Sequence, residues 1–266
     1  MLRSTSRGAV SRIERCLPLI AASMLASVLS FLTSTAHAED YYTRRSFLAK
    51  DGGFEITGEP SRPEILRADI SDDGPHAITL PPHFYFGVSR DVTLGITHRR
   101  GLCLSACGDR HYNDVGFGLL VGLARGADYE IDLNTGLQFR SIDPAHFGWK
   151  GGVIGRVNFG QIVGFVFDPT LYLAFTGRDT GNQHQLVLPF WFYFQASPKV
   201  APFVGAMLVG PLDGFIDNLS IPVEGGVMFS VSDRVDLGFD LRFTNLLGHH
   251  GGPAGRELGL LGRFQF

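Results

Sequence analysis

The chain is poor in the features that most often announce a function. Its 266 residues include only three cysteines, four methionines and two tryptophans, and 18% are charged. The longest uncharged apolar run, residues 17–32, falls short of the roughly 20 residues a membrane-spanning helix needs. No G-x-S-x-G nucleophile turn and no Walker loop is present. Basic residues are not in excess, since the chain carries a formal charge of −3. That argues against a nucleic-acid partner, which would want a basic surface. Thirty-four glycines and the lack of a helical period disfavour a helical fold.

What is there begins with an export signal. Arg3, Arg7, Arg12 and Arg15 precede the apolar run, and Ala36-His37-Ala38 supplies the small residues of a cleavage site. Residues 1–38 are therefore expected to be removed after Ala38, taking Cys16 with them. The remainder, from Glu39, holds 19 Lys and Arg against 25 Asp and Glu, so it is more acidic than the whole. The two cysteines left, Cys103 and Cys107, suggest a loop disulfide in an exported protein. Two thiolates alone fall short of the four ligands of a structural zinc.

Beyond the signal, a two-residue beat dominates. In the last segment Leu258, Leu260, Phe264 and Phe266 alternate with Glu257, Gly259, Arg263 and Gln265. Ten earlier segments share the pattern, at 78–88, 92–98, 115–124, 128–140, 153–159, 163–176, 185–195, 200–210, 219–231 and 235–245. Their connections alternate between two to four and eight to fifteen residues. Short turns at one end and longer loops at the other are the layout of an outer-membrane barrel. An even count needs one more strand, for which 64–70 is the candidate, lengthened or replaced by 54–57. The expectation is an all-β, transmembrane antiparallel up-and-down β-barrel of about twelve strands (ten or fourteen as alternatives). It occupies residues 63–266, after a periplasmic lead-in at 39–62. Pro81, Pro169, Pro189, Pro202 and Pro222 lie inside these strands and predict bulges or breaks at several of these positions, because proline removes a ladder donor.

The signal, the alternating strands, the short turns and the terminal aromatic resemble the outer-membrane β-barrel proteins of Gram-negative bacteria. The resemblance covers essentially the whole chain after the signal. Phe264 and Phe266, with Leu260 before them, resemble the signal read by the barrel-assembly machinery. The resemblance implies outer-membrane lipid and that machinery as partners, and it implies no particular activity. A soluble sandwich would show the same alternation. The terminal aromatic and the asymmetry of turns and loops favour the barrel.

Period two assigns two faces. Outward fall Val115, Phe117, Leu119, Val121 and Leu123, with similar sets at 129–139, 186–194 and 237–243. Inward fall nine acids, Asp69, Asp128, Glu130, Asp132, Asp168, Glu224, Asp236, Asp240 and Glu257, and five bases, Arg67, Arg140, Arg156, Arg242 and Arg263. Twelve strands about 4.8 Å apart and tilted by about 40° enclose a barrel roughly 24 Å across. The expectation is a passive pore for small polar solutes or ions, with the excess of inward acids giving a mild preference for cations. The alternatives are a salt-bridged, non-conducting barrel that contacts partners through loops 99–113, 141–149 and 247–255, and a lipid-modifying enzyme. For the last, His98, Ser105, Asp109 and His111 are the nearest material, without a motif, and His98 reads more simply as a satisfied loop histidine. A surface metal site from His111, His184, His249 and His250 is disfavoured, because adjacent histidines in extended chain point apart. No catalytic group, metal or cofactor is expected.

Overall fold

The structure, a computed structural model, describes residues 42–71, 76–107, 111–248 and 251–266. Apart from one 3-10 turn, Tyr42–Arg44, its regular elements are strands, joined to their sheet neighbours in antiparallel register. In chain order these are β1 (Phe54–Thr57), β2 (Glu64–Asp69), β3 (Ile78–Leu80), β4 (His83–Ser89), β5 (Val92–Thr97), β6 (Leu102–Ser105), β7 (Val115–Arg125) and β8 (Tyr129–Ser141). They continue as β9 (His146–Phe159), β10 (Val163–Phe167), β11 (Thr170–Ala174), β12 (Gln185–Phe194), β13 (Val200–Pro211), β14 (Val223–Ser232), β15 (Val235–Phe243) and β16 (Arg256–Gln265).

The sixteen segments make twelve staves of one closed barrel. β1 and β2 lie end to end against β16, through Thr57↔Arg263 and Glu64↔Leu261. β3 with β4, β5 with β6, and β10 with β11 are likewise interrupted staves. The pairing of β1 with β16 closes the sheet, sealed at the rim by reciprocal bonds between Phe54 and Phe266. Closure joins the first stave to the last, as a sheet in hydrocarbon requires.

Three of the interruptions contain proline, Pro60 and Pro63 lying between β1 and β2. Pro81 separates β3 from β4, and Pro169 separates β10 from β11. Pro189 keeps its register with Met207 on β13 but faces the break at 168–169 on its other side, where β10 pairing ends at Phe190 and β11 pairing resumes at Val187. Pro222 stands just before β14. These positions spare the ladder a donor that proline lacks, but Pro202 lies within β13 and pairs with Val227 without a shift of register, so no break occurs there.

The expected loop at 141–149 is shorter in the structure. β9 begins at His146, leaving residues 142–145 as the turn, whose Ile142 and Asp143 amides bond to the Asn113 side chain. Glycines hide this part of the strand in the sequence. At Gly148 and Gly152 a side chain would collide with the Tyr172 ring and the Pro169 carbonyl of the adjoining stave.

The outward set is exposed along each stave. Phe117, Leu137, Phe190, Phe192, Phe239, Leu241, Leu258 and Leu260 all lie at the surface. Phe86, Phe159, Phe194 and Phe266 gather near the short-turn end. These are the aromatic band and apolar belt of a membrane barrel.

Candidate functional site: a lumen closed by its own chain

The inward face is not simply polar. Leu120, Ile154, Val166, Phe203, Met228 and Leu261 also point inside and are buried. They form one cluster with Phe47, Leu48 and Ala49, which belong to the arm preceding β1. The arm, residues 42–53, therefore occupies the short-turn half of the lumen. Burial of such side chains stabilises by about 1.5–3 kcal/mol each relative to exposure.

Polar contacts fix the arm in place. Thr43 Oγ1 donates to Gln195 at 3.2 Å, and the Ala49 amide donates to Thr93 Oγ1 at 3.1 Å. Arg45 pairs with Asp236 at 3.0 Å and donates to the Ser232 carbonyl. Ser46 bonds Glu130, which also holds Arg156 at 2.9 Å and Arg125 at 2.9 Å. Arg263 joins Glu55 at 2.8 Å to the Ser46 carbonyl at 2.6 Å. The arm leaves the lumen alongside Gly87, where backbone bonds join Gly52 and Gly53 to Gly87. A Cβ at Gly87 would strike the Lys50 carbonyl. Replacing Gly87 with valine should therefore expel the arm while β4 remains paired. Limited proteolysis of the folded barrel should then cut between residues 42 and 53, where the parent resists.

A second piece enters at mid-barrel. Between β1 and β2, residues 58–63 leave the wall, and Arg62 becomes the centre of an ion network. Arg62 meets Glu64, Glu224 at 2.9 Å and Asp240 at 2.5 Å, and its side chain is only 7% exposed. Arg242 holds Glu224 at 2.9 Å and Glu257 at 3.4 Å, while Arg67 holds Glu64 at 2.5 Å. Ser61 donates to Asp168 at 2.8 Å, and Glu59 meets Lys150 on the facing wall at 3.2 Å. The excursion starts at Gly58, where a side chain would collide with the Glu64 backbone.

Nine of the inward acids and bases read from the sequence fall into two levels, and Arg67 and Asp69 line the outer cavity. Glu130, Asp132, Arg156, Asp236 and Arg263 line the half filled by the arm, and Asp168, Glu224, Asp240 and Arg242 meet the excursion or its partners. Asp128 lies at the short-turn rim, where it pairs with Arg44 at 3.3 Å. Arg140 and Glu257 face the open half. Glu55, Glu59, Arg62, Glu64 and Lys150 were not among the inward residues taken from the sequence. The sequence signal for Glu59 and Arg62 is the Gly58-Glu-Pro-Ser-Arg-Pro63 interruption between two short alternating runs.

Toward the loop end the lumen is open. A cavity of about 290 Å³ lies above Arg62 and Glu59 and adjoins a wider one of about 580 Å³ among the loops, with Arg67, Arg99 and Arg140 lining both. Between Pro60 and the arm the space narrows to about 20 Å³. The loop at the mouth is braced by Asp114, which accepts from the backbone amides of Arg99, Arg100 and Gly101. Cys103 and Cys107 are joined in a disulfide there.

The residues considered for catalysis are engaged elsewhere. His98 places its ring nitrogens against the Pro82 carbonyl and the Tyr112 hydroxyl, and Ser105 donates to the His76 carbonyl. His184 accepts from the Ala174 amide, and His111 lies against the Cys103 carbonyl. Asp109, His249 and His250 lie outside the described residues. Among the described residues, no group of three or more His, Cys, Asp or Glu is placed to hold a metal.

A closed antiparallel barrel with an apolar outer belt and a charged interior defines an outer-membrane β-barrel protein. Solved structures share the architecture. The chain superposes on the KdgM porin with a TM-score of 0.53 at 6% identity, over 80% of this chain and 99% of that one. A second structure of the same porin, in complex with disordered oligogalacturonate, gives 0.54 at 6% identity, over 80% and 99%. The NanC porin gives 0.52 at 6% identity, over 75% and 97%. At such identities the likeness is one of fold. No family model matches the chain, and no curated protein matches it.

Proposed function

We propose that the chain is an outer-membrane channel for small polar solutes or ions. Its signal is cleaved after Ala38, Phe264 and Phe266 present it to the barrel-assembly machinery, and its loop end faces outward. The observation that carries the reading is the space above Arg62, open among the loops and walled by charge. The narrow part of the path is the level of residues 58–63, and the arm lies beneath it.

Charge selectivity follows from which groups face open space. Counting the wall alone gives an acidic lumen and a mild cation preference. The acids deep in the barrel, however, are held by arginines from the wall and from the inner segments. Of the bases that line the cavity, Arg62, Arg67, Lys150 and Arg242 are held by carboxylates, whereas Arg99 and Arg140 form no ion pair among the described residues, so the geometry supports the entry of anions. Reversal potentials of the refolded protein in a salt gradient across a planar bilayer test both readings. Conductance steps with an anion-side reversal are the expected result. A cation-side reversal would restore the wall count, and silence over many insertions would remove the channel.

A further inference from the structure

Two features of the outer cavity find no use in holding the barrel together. The first is a cluster of like charges. Arg67, Arg99 and Arg140 line the same space, and the charges of Arg67 and Arg140 both act on Arg99 or are acted on by it. Arg67 has carboxylate partners in Glu64 and Glu257. Arg99 and Arg140 have none within ion-pairing distance among the described residues. Arg140 instead lays its guanidinium 3.5 Å from the centre of the Tyr172 ring. Asp114 and Glu59 act on these two arginines without forming an ion pair with either. Holding cations together without a paired counter-charge is unfavourable, and an anion between them relieves it.

The second feature is an apolar wall facing the same space. Val187, Pro189, Met207, Val209 and Pro222 line the cavity from β12, β13 and the start of β14. Barrel interiors are ordinarily polar. The other inward apolar patch is covered by Phe47, Leu48 and Ala49. No described segment covers this one. It stands across the lumen from Arg99, with Arg140 to one side.

We propose that the outer cavity is a binding site for a small organic carboxylate with an apolar body, its carboxylate between Arg99 and Arg140 and its body against Val187, Met207 and Val209. The proposal rests on reading the cavity as the mouth of a solute path and specifies the solute. The cavity's volume sits at the small end of ligand pockets, which run from roughly 300 to 1,000 Å³. Two charge-assisted contacts supply orientation, and the apolar wall supplies selection against simple inorganic anions.

The test uses the full barrel refolded in detergent and titrated calorimetrically with benzoate, benzamide and acetate. Parallel titrations follow tryptophan fluorescence in a Trp149→Phe background. Trp149 lies in the outward register beside Leu137 and Leu173, so its removal leaves Trp191, which lines the cavity, as the reporter. Benzoate should bind saturably and perturb Trp191, with benzamide and acetate each weaker. Arg99→Gln with Arg140→Gln should weaken benzoate at least about tenfold, the effect of losing one charge-assisted contact or more. Because these arginines hold no carboxylate, the double variant should keep the parent's heat-modifiable mobility on a gel. Equal affinity for benzamide, no saturable heat with benzoate, or unchanged binding by the double variant would each overturn the site. Binding without conductance would remove the channel and leave the site; conductance without binding would do the reverse.

Discussion

Deleting residues 59–63, together with Asp240→Asn, should raise single-channel conductance severalfold. Thr57 pairs with Arg263 and Glu64 with Leu261, so only the position opposite Gly262 separates β1 from β2 in the wall. Gly58 alone fills it, and the stave becomes continuous. The deletion removes Glu59, Pro60, Ser61 and Arg62 from the centre of the barrel, where they occupy the level between the outer cavity and the arm. Asp240 would otherwise lose its arginine and remain buried, which is why it is neutralised in the same variant. Glu224 keeps Arg242 and Glu64 keeps Arg67, while Asp168 loses Ser61 and keeps its bonds from Asn134 and Thr170. Conductance measured in planar bilayers at fixed salt checks the result. A value equal to that of the parent would mean that the excursion does not set the narrowest point. Adding Gly87→Val to expel the arm should then raise conductance further, since the arm fills the next level down.

The barrel was legible from the sequence, because lipid imposes one rule on every stave. Leu258, Leu260 and Phe264 must alternate with Glu257, Gly259 and Arg263, and the partner Leu237, Phe239 and Leu241 must do so in register. The twelve-stave count followed from turn lengths. What fills the barrel was much less legible. The arm and the excursion are short, irregular and rich in Gly and Pro, and their positions depend on contacts to staves far away in the chain. Arg62 meets Asp240, and Thr43 meets Gln195. A trace was nonetheless present. At 115–124 the inward position Leu120 is as apolar as its outward neighbours, and Met228 and Leu261 repeat the exception. An inward apolar residue in a membrane barrel needs something to cover it, and three such residues on separate staves point to an internal segment. The charge of the open path is hard to read from the sequence for a related reason. A wall count treats each acid as facing water, whereas Asp236 and Glu130 face arginines or serines of the arm and its partners.

The stability of the barrel should depend on Arg62 more than on any charge at its rim. Arg62→Gln leaves Asp240 without its partner and Glu64 and Glu224 with one base fewer, in a region that water scarcely reaches. Removing one member of a buried ion pair typically costs about 3–5 kcal/mol, most of it the penalty of the charge left behind. The exposed Arg44–Asp128 pair, by contrast, should be worth under about 1 kcal/mol. Urea unfolding of refolded protein in lipid vesicles measures both. Combining Arg62→Gln with Asp240→Asn should recover part of the loss, because the orphaned acid is then neutral. A coupling of roughly 0.5–3 kcal/mol in that cycle is the expected size for residues in one network. The deletion of 59–63 with Asp240→Asn offers the decisive comparison. It removes the same arginine but neutralises Asp240 and closes the gap in the wall, against the loss of Glu59 from Lys150 and of Ser61 from Asp168, so it should be more stable than Arg62→Gln alone. If it is the less stable of the two, residues 58–63 are a brace that the barrel needs in order to fold. If it is the more stable, the excursion is an obstruction that the fold tolerates, held in the lumen by charges that would otherwise be orphaned.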